Sequence, residues 1–427
     1  MKWIGFVILT LLSLSSIGQS LDWTKVSHPK RVELESYVES DYEFIDLSTN
    51  RFQFATERSP LFEAFYERLM HVKDSGQGKL HIYHIGGSHI QADMYSNVVR
   101  EKLGRYVGYQ GERGMIFPHN LANSNNPSNY RITSKARFES QRVVGSSNRD
   151  LDLGLFGVGI VSTVDSTLQM GFKYRTANLQ PCFNEVAFLR NKGEWSFELN
   201  FGDDEILVES VEHNDAAGWT KVKFCDPLDS LDVQFRSKIG RNRLEFYGMG
   251  LINSDEPGLS YTSIGVNGAG LYSYLAAPNF EEQLSLYPPD FFIFSVGTND
   301  ANVPYDRFNP QTYKNNLERM MKIVWRANPN CAILLTVPND AYFKKKNLNK
   351  NIAREREVIW ELCQQYQLPM WDFYGVMGEL GSSKTWMNHG LMQSDLVHFT
   401  AKGYQLKGNL LMDAFLKYFK QFEILHK

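Results

Sequence analysis

Ser88 follows Gly86-Gly87, where an apolar run at residues 80–85 ends and a helical pattern begins. A hydroxyl on such a strand-to-helix turn projects over the edge of the sheet. The backbone N–H beside it lies at a helix N-terminus, where developing negative charge is favoured. Alone, a Gly-Ser turn has the commoner meaning of a helix N-cap. Far along the chain, Asp395 and His398 stand three residues apart in Asp395-Leu396-Val397-His398. At that spacing a carboxylate can hold one imidazole nitrogen and turn the other toward a serine hydroxyl, as general-base activation requires. Two segments between them offer N–H donors for an oxyanion. One is the glycine-rich stretch at 264–270, which contains Gly268; the other is Gly297-Thr298-Asn299-Asp300, where Asn299 supplies a side-chain N–H. Each reads as an ordinary turn when taken alone.

The elements that must position these groups follow a rhythm. Residues 80–85, 291–296 and 332–337 are apolar runs of strand length, and 370–372 forms a shorter one. Helical patterns cover about 93–106, 310–326 and 349–366, and a last helix starts near Ala401 and runs toward Phe419. Residues 59–72 read as a further helix packed on this unit. Alternating strands and helices predict an α/β fold with a doubly wound parallel sheet. Ligands of such sheets sit beyond the carboxyl ends of the strands, where Ser88 and Asn299 fall. Residues 116–257 break the rhythm. Short β-type runs at 195–199, 206–211, 221–224 and 231–235 alternate with turns and predict an inserted all-β sandwich.

In their order, Gly86-Gly87-Ser88-His89, Val266-Asn267-Gly268-Ala269, Gly297-Thr298-Asn299-Asp300 and Asp395-x-x-His398 resemble the four blocks of the SGNH (GDSL-type) hydrolases. The resemblance covers about residues 76–115 and 258–421. It implies a flavodoxin-like fold with Ser88 as nucleophile, His398 as base and Asp395 orienting the imidazole. The oxyanion hole would come from Ser88, Gly268 and Asn299. The long β-rich insertion is more similar to peptidoglycan O-acetylesterases of Gram-negative bacteria, which carry a carbohydrate-binding-module-like sandwich there. An esterase removing acetyl groups from a cell-wall or other polysaccharide, through an acyl-serine and without cofactor or metal, is thereby implied. Its partner would be an O-acylated polysaccharide such as peptidoglycan. Gly87 departs from the family, which usually has Asp at that point, and Gly270 is an alternative donor to Gly268. Acetyl transfer to a second sugar, lipase activity, and glycan binding on an inactive hydrolase fold are the competing readings.

The chain's 427 residues suggest two domains. The expected division is a signal peptide at 1–20, the hydrolase domain at 21–115 and 258–427, and a glycan-binding insert at 116–257. Lys2, the apolar stretch at 4–14 and small residues at Ser15, Ser16 and Gly18 carry the signal-peptide reading, so export to the periplasm or the medium is expected, with no membrane span after cleavage. A net charge of -3 makes no case for nucleic acid. Cys331 and Cys363 read as core residues, while a disulfide between Cys182 and Cys225 is left open. His81, His84 and His89 lack the acidic or thiol companions of a metal site. Trp195 and Trp219 read as sandwich core ahead of sugar platforms, His389 and Met392 as shapers of the catalytic loop, and Lys344-Lys345-Lys346 as a solvated loop.

Overall fold

A computed structural model describes residue 38 and residues 42–109, 111–145, 150–175 and 182–426. The signal peptide expected at 1–20 lies outside the described residues. In chain order the elements that build the site's platform are β1 (Phe52–Phe54), α1 (Pro60–Ser75), β2 (Lys79–Gly86), α2 (Ser88–Gln91), α3 (Tyr95–Tyr106), β3 (Gly111–Glu112), β4 (Gly258–Gly265), β5 (Phe291–Ser295), α4 (Pro310–Ala327), β6 (Ala332–Val337), α5 (Asn351–Tyr366), β7 (Pro369–Asp372) and α6 (Ala401–His426). Their seven strands pair in the order β1-β7-β6-β5-β2-β4-β3. Every pairing is parallel except that of β1 with β7 at one edge.

The central strands are apolar on both faces because helices cover both. Phe291 and Ile293 of β5 join Phe62, Phe65, Leu411 and Phe415 from α1 and α6 on one side. Phe292 and Phe294 join Leu317, Met320 and Ile359 from α4 and α5 on the other. Local signals set the helix ends. Asn309 caps α4 by accepting the Thr312 N–H at 3.1 Å, with Pro310 in the first turn. Buried Tyr313, Leu317, Met320, Met321 and Val324 give α4 one apolar stripe.

Between β3 and β4 the chain leaves the parallel sheet and builds two antiparallel ones. One has four strands. The other runs from Val208–Asn214 through Trp219–Leu228, Phe183–Arg190, Asn242–Ile252 and Val158–Val164 to Glu139–Arg142, with Gly114–Ile116 paired to the long Asn242–Ile252 strand. The expected sandwich is thus present. Its core is continuous with the second face of the parallel sheet, since Phe188, Val222 and Phe235 belong to one apolar cluster with Tyr83, Phe294 and Val266. Trp195 is buried in it, beneath the Arg190 guanidinium 4.7 Å from its ring. Trp219 packs against it partly buried, so neither indole is an open sugar platform. No disulfide joins Cys182 and Cys225.

Asp93 ties the start of the insertion to the sheet. Its carboxylate accepts from Arg100, Arg113, Ser96 and Ser263, all with contacts of 2.7–2.8 Å, while 1% of its side chain is exposed. Burial opposes ionisation, but the two guanidinium groups overcome it and hold the carboxyl far below the usual carboxylate range. Its stabilising contribution is therefore present above the pKa of an unfolded aspartate, near 4, and is lost only as pH falls through the much lower folded value. Asp93→Ala should cost about 3–5 kcal/mol in urea unfolding at neutral pH, because two buried arginines lose their counter-charge. A loss below about 1 kcal/mol would show that they find another partner.

Candidate active site

The β2 strand delivers Ser88 to the carboxyl edge of the sheet, where it becomes the first residue of α2. Ile90 and Gln91 N–H groups close the turn on the Gly87 carbonyl at 3.1 and 3.0 Å. Ser88 Oγ lies 2.8 Å from His398 Nε2. His398 Nδ1 lies 2.7 Å from Asp395 Oδ2. A carboxylate only accepts, so Nδ1 carries the proton and Nε2 is free to accept the serine hydroxyl. The 395–398 loop is held as a unit. Asp395 Oδ1 accepts the backbone N–H groups of Val397 and His398 at 3.0 and 2.9 Å, and Leu396 takes a left-handed φ of 57°. Burial pushes the Asp395 carboxyl upward, but the hydrogen bonds from His398 and Val397 outweigh it and hold the group below its ordinary value. Asp395 is thus ionised throughout the neutral range.

Opposite the histidine, Gly268 and Asn299 line the same cleft as Ser88, a space of about 730 Å³. Gly268 adopts φ 83°, a conformation that glycine enters without strain. Its turn is fastened from below, where the Asn267 N–H donates to Gln91 Oε1 at 2.7 Å and Gln91 Nε2 donates to Ser124 Oγ at 2.8 Å. Asn299 Nδ2 donates to the Ala269 carbonyl at 2.9 Å, which orients the amide and leaves its second hydrogen available. The N–H groups of Ser88 and Gly268 donate to no acceptor among the described residues. Gly270 differs, since its N–H faces Ser273 Oγ at 3.3 Å and its Cα is covered by Asp300. Of the two glycines, Gly268 is therefore the one with a donor open to the cleft.

Gly87 has a geometric reason. A Cβ at this position would stand 2.8 Å from Asn299 Nδ2, inside van der Waals contact. The glycine lets the Asn299 amide sit directly against the Ser88 turn.

Other residues surround the site, and among them Lys407 carries no local signal in the sequence. His89 packs on His398 at 5.3 Å between ring centroids, and its Nδ1 meets the Tyr404 hydroxyl at 2.9 Å. Burial, with Lys407 and His398 nearby, keeps His89 neutral well below the ordinary histidine range. Lys407 is itself buried among the rings of Tyr95, Phe373 and Phe399, and that burial pushes its amine down to about 7. Lys344 and Lys345 are more than a solvated loop, since both line the cleft on the turn between Tyr342–Phe343 and Asn347–Leu348. Met392 is buried and bridges to Phe399, while His389 is exposed and packs on Phe44; neither lines the cleft. His81 bonds Ser260 and His84 bonds Tyr261 and Ser295, and no group of three metal-binding side chains occurs among the described residues.

With this geometry in view, residues 247–406 match the GDSL-like lipase/acylhydrolase family. They belong to it. Gly268, Asn299, Asp395 and His398 lie inside the matched segment of this GDSL-like chain, and Ser88 precedes it. The protein is thus an acylhydrolase, a carboxylic ester hydrolase of the SGNH kind. A solved peptidoglycan O-acetylesterase shares the fold over 83% of this chain and 96% of its own, at 19% identity and TM-score 0.68. A lipase/acylhydrolase from Enterococcus faecalis aligns with 38% of this chain and 76% of its own, at 22% identity and TM-score 0.30. A GDSL-like lipase from Bacteroides thetaiotaomicron aligns with 37% and 76%, at 20% identity and TM-score 0.31. No curated protein matches the chain. None of the described helices is long and apolar enough to cross a membrane.

Proposed function

We propose that this acylhydrolase is an exported serine esterase that removes acetyl groups from a cell-wall or other polysaccharide through an acyl-Ser88 intermediate. The observation that carries the reading is the relay Asp395–His398–Ser88, with links of 2.7 and 2.8 Å, facing two unused backbone N–H groups across one cleft. In the proposed cycle His398 Nε2 takes the Ser88 proton as Oγ attacks the ester carbonyl. The tetrahedral oxyanion is received by the N–H groups of Ser88 and Gly268 and by Asn299 Nδ2. Collapse breaks the ester C–O bond, and the departing sugar oxygen takes the proton from His398. Water, deprotonated by the same nitrogen, then releases acetate and restores Ser88.

Two features support a polymeric substrate. The solved esterase sharing this fold along nearly its whole length acts on peptidoglycan. In addition, the four-stranded sheet of the insertion carries a second hollow of about 780 Å³, lined by Thr133, Gln169, Asp232 and Gln234, whose hydroxyl, amide and carboxylate groups suit sugar hydroxyls.

Asn299→Ala should lower kcat by roughly 10²–10³-fold with a smaller change in KM, the usual signature of one lost oxyanion donor. Steady-state kinetics on an aryl acetate measures this, and an unchanged kcat would reduce Asn299 to a turn residue. The substrate is tested by incubating the purified protein with O-acetylated peptidoglycan and with other acetylated glycans and following acetate. Release from at least one polymer, faster than from a free acetylated sugar, is expected. Hydrolysis of long-chain acyl esters alone would overturn the polysaccharide reading.

A further inference from the structure

Behind the Asn299 turn lie two carboxyl groups, the buried Glu355 and the half-buried Asp300, that the cycle above leaves without a role. Glu355, on α5, has no solvent exposure, and neither of its carboxyl oxygens has a hydrogen-bond partner. It sits against Gly297, two residues before Asn299. A Cβ on Gly297 would lie 2.8 Å from Glu355 Oε2 and 3.0 Å from the Tyr313 hydroxyl, and Gly297 holds φ 135°, which a larger residue adopts only with strain. Asp300 grips the facing turn. Its two carboxyl oxygens accept the Leu271 N–H at 3.1 and 3.2 Å, and they lie over the Cα of Gly270. One carboxyl group therefore presses on the turn that bears Asn299, and the other ties that turn to the one that bears Gly268.

We propose that Glu355 is a positioning residue for the oxyanion donor Asn299, acting through Gly297 as a neutral carboxylic acid. The inference rests on the oxyanion role proposed for Asn299. The titratable groups facing Glu355 are Asp300, after β5, and Tyr313, on α4; its neighbour Arg356 turns away to Asp372 and Glu379. No lysine, arginine or histidine among the described residues pairs with either carboxyl. Two adjacent carboxylates without a counter-ion are strongly disfavoured in an apolar interior, so protons stay bound there. Burial, reinforced by Asp300, raises Glu355 well above the ordinary range, and burial raises Asp300 to about 7. Ionising both would set two negative charges against each other behind the glycine turns and drive the turns apart.

The test compares wild type, Glu355→Gln and Glu355→Ala on an aryl acetate, with kcat and KM measured from neutral to alkaline pH and folding checked by circular dichroism. Wild-type turnover by itself tests the esterase reading; the contrast among the three chains tests Glu355. The glutamine chain keeps the neutral shape, so its kcat should stay within about threefold of wild type at neutral pH and should lack the wild-type fall at the alkaline end. Glu355→Ala should lose roughly 10- to 100-fold in kcat with KM little changed, short of or equal to the loss of a whole donor. Wild-type kcat in the alanine chain would overturn the inference. So would a glutamine chain that shares the wild-type alkaline fall, and that comparison decides the matter even if the alanine chain does not fold.

Discussion

Ser88→Ala should lower kcat on small aryl acetates by at least about 10⁴-fold, on the order of what triad serines contribute elsewhere. The methyl group cannot attack a carbonyl, and among the described residues no other hydroxyl meets His398 Nε2, which Ser88 Oγ does at 2.8 Å. The fold should survive. Ser88 is only the first residue of the short α2, whose N-cap is Gly87 and whose turn is closed by the Gly87 carbonyl and not by the serine side chain. Thermal unfolding of the variant should match that of wild type. Turnover that persists in a folded Ser88→Ala chain would mean that the ester is attacked by another group.

His398→Ala should be nearly as damaging as Ser88→Ala, and Asp395→Asn at least several-fold milder. Among the described residues, His398 is the only base in contact with Ser88 Oγ. The buried imidazole of His89 packs beside it with Nδ1 on the Tyr404 hydroxyl, and neither of its nitrogens hydrogen-bonds Ser88 Oγ. Asp395 works indirectly, by fixing the Nδ1–H tautomer and stabilising the imidazolium. In Asp395→Asn the amide oxygen can still accept from Nδ1, at the cost of the Val397 and His398 N–H bonds, which an NH₂ cannot accept, while the loop keeps the Gln393 N–H bond to the His398 carbonyl at 2.8 Å. An amide that flips to present its NH₂ would trap the wrong tautomer, which sets an upper limit of roughly 10⁴-fold on the loss. The comparison is made on kcat/KM for one aryl acetate. Equal losses would show that the two residues act as one unit, and no loss in Asp395→Asn would reduce the relay to Ser88 and His398.

How much of this could be read from the chain depended on whether burial left a local mark. The β5 and β6 strands were legible because both faces are covered, so their residues are apolar without interruption. The β4 strand was not read as one, although it lies between β2 and β3. Its buried polar residues have distant partners: Ser260 meets His81, Thr262 accepts the Met115 N–H and Ser263 donates to Asp93. The antiparallel edge strand β1 is three residues long, too short to show a period.

The same logic holds at the site. Ser88, Asp395 and His398, with Gly268 and Asn299, were nameable because each stands where a strand or loop ends at the sheet's carboxyl edge, and the structure gathers all five around one cleft. Glu355 was hidden. It sits in Arg354-Glu355-Arg356-Glu357, a run that reads as an exposed helix face, and only the packing of α5 behind Gly297 buries it. Gln91 and the lysine-bearing turn at the cleft were hidden likewise, since nothing local marks an amide that braces a loop over a hundred residues away.

The central claim is that Ser88 carries the acyl group. Treating the native protein with a fluorophosphonate and mapping the modified peptide by mass spectrometry tests it directly, because the reagent requires an activated hydroxyl next to an oxyanion hole. A single adduct on Ser88, formed as activity is lost and absent in His398→Ala, is the predicted result. Loss of activity with the adduct on a different residue, or full activity with Ser88 unmodified at saturating reagent, would contradict it.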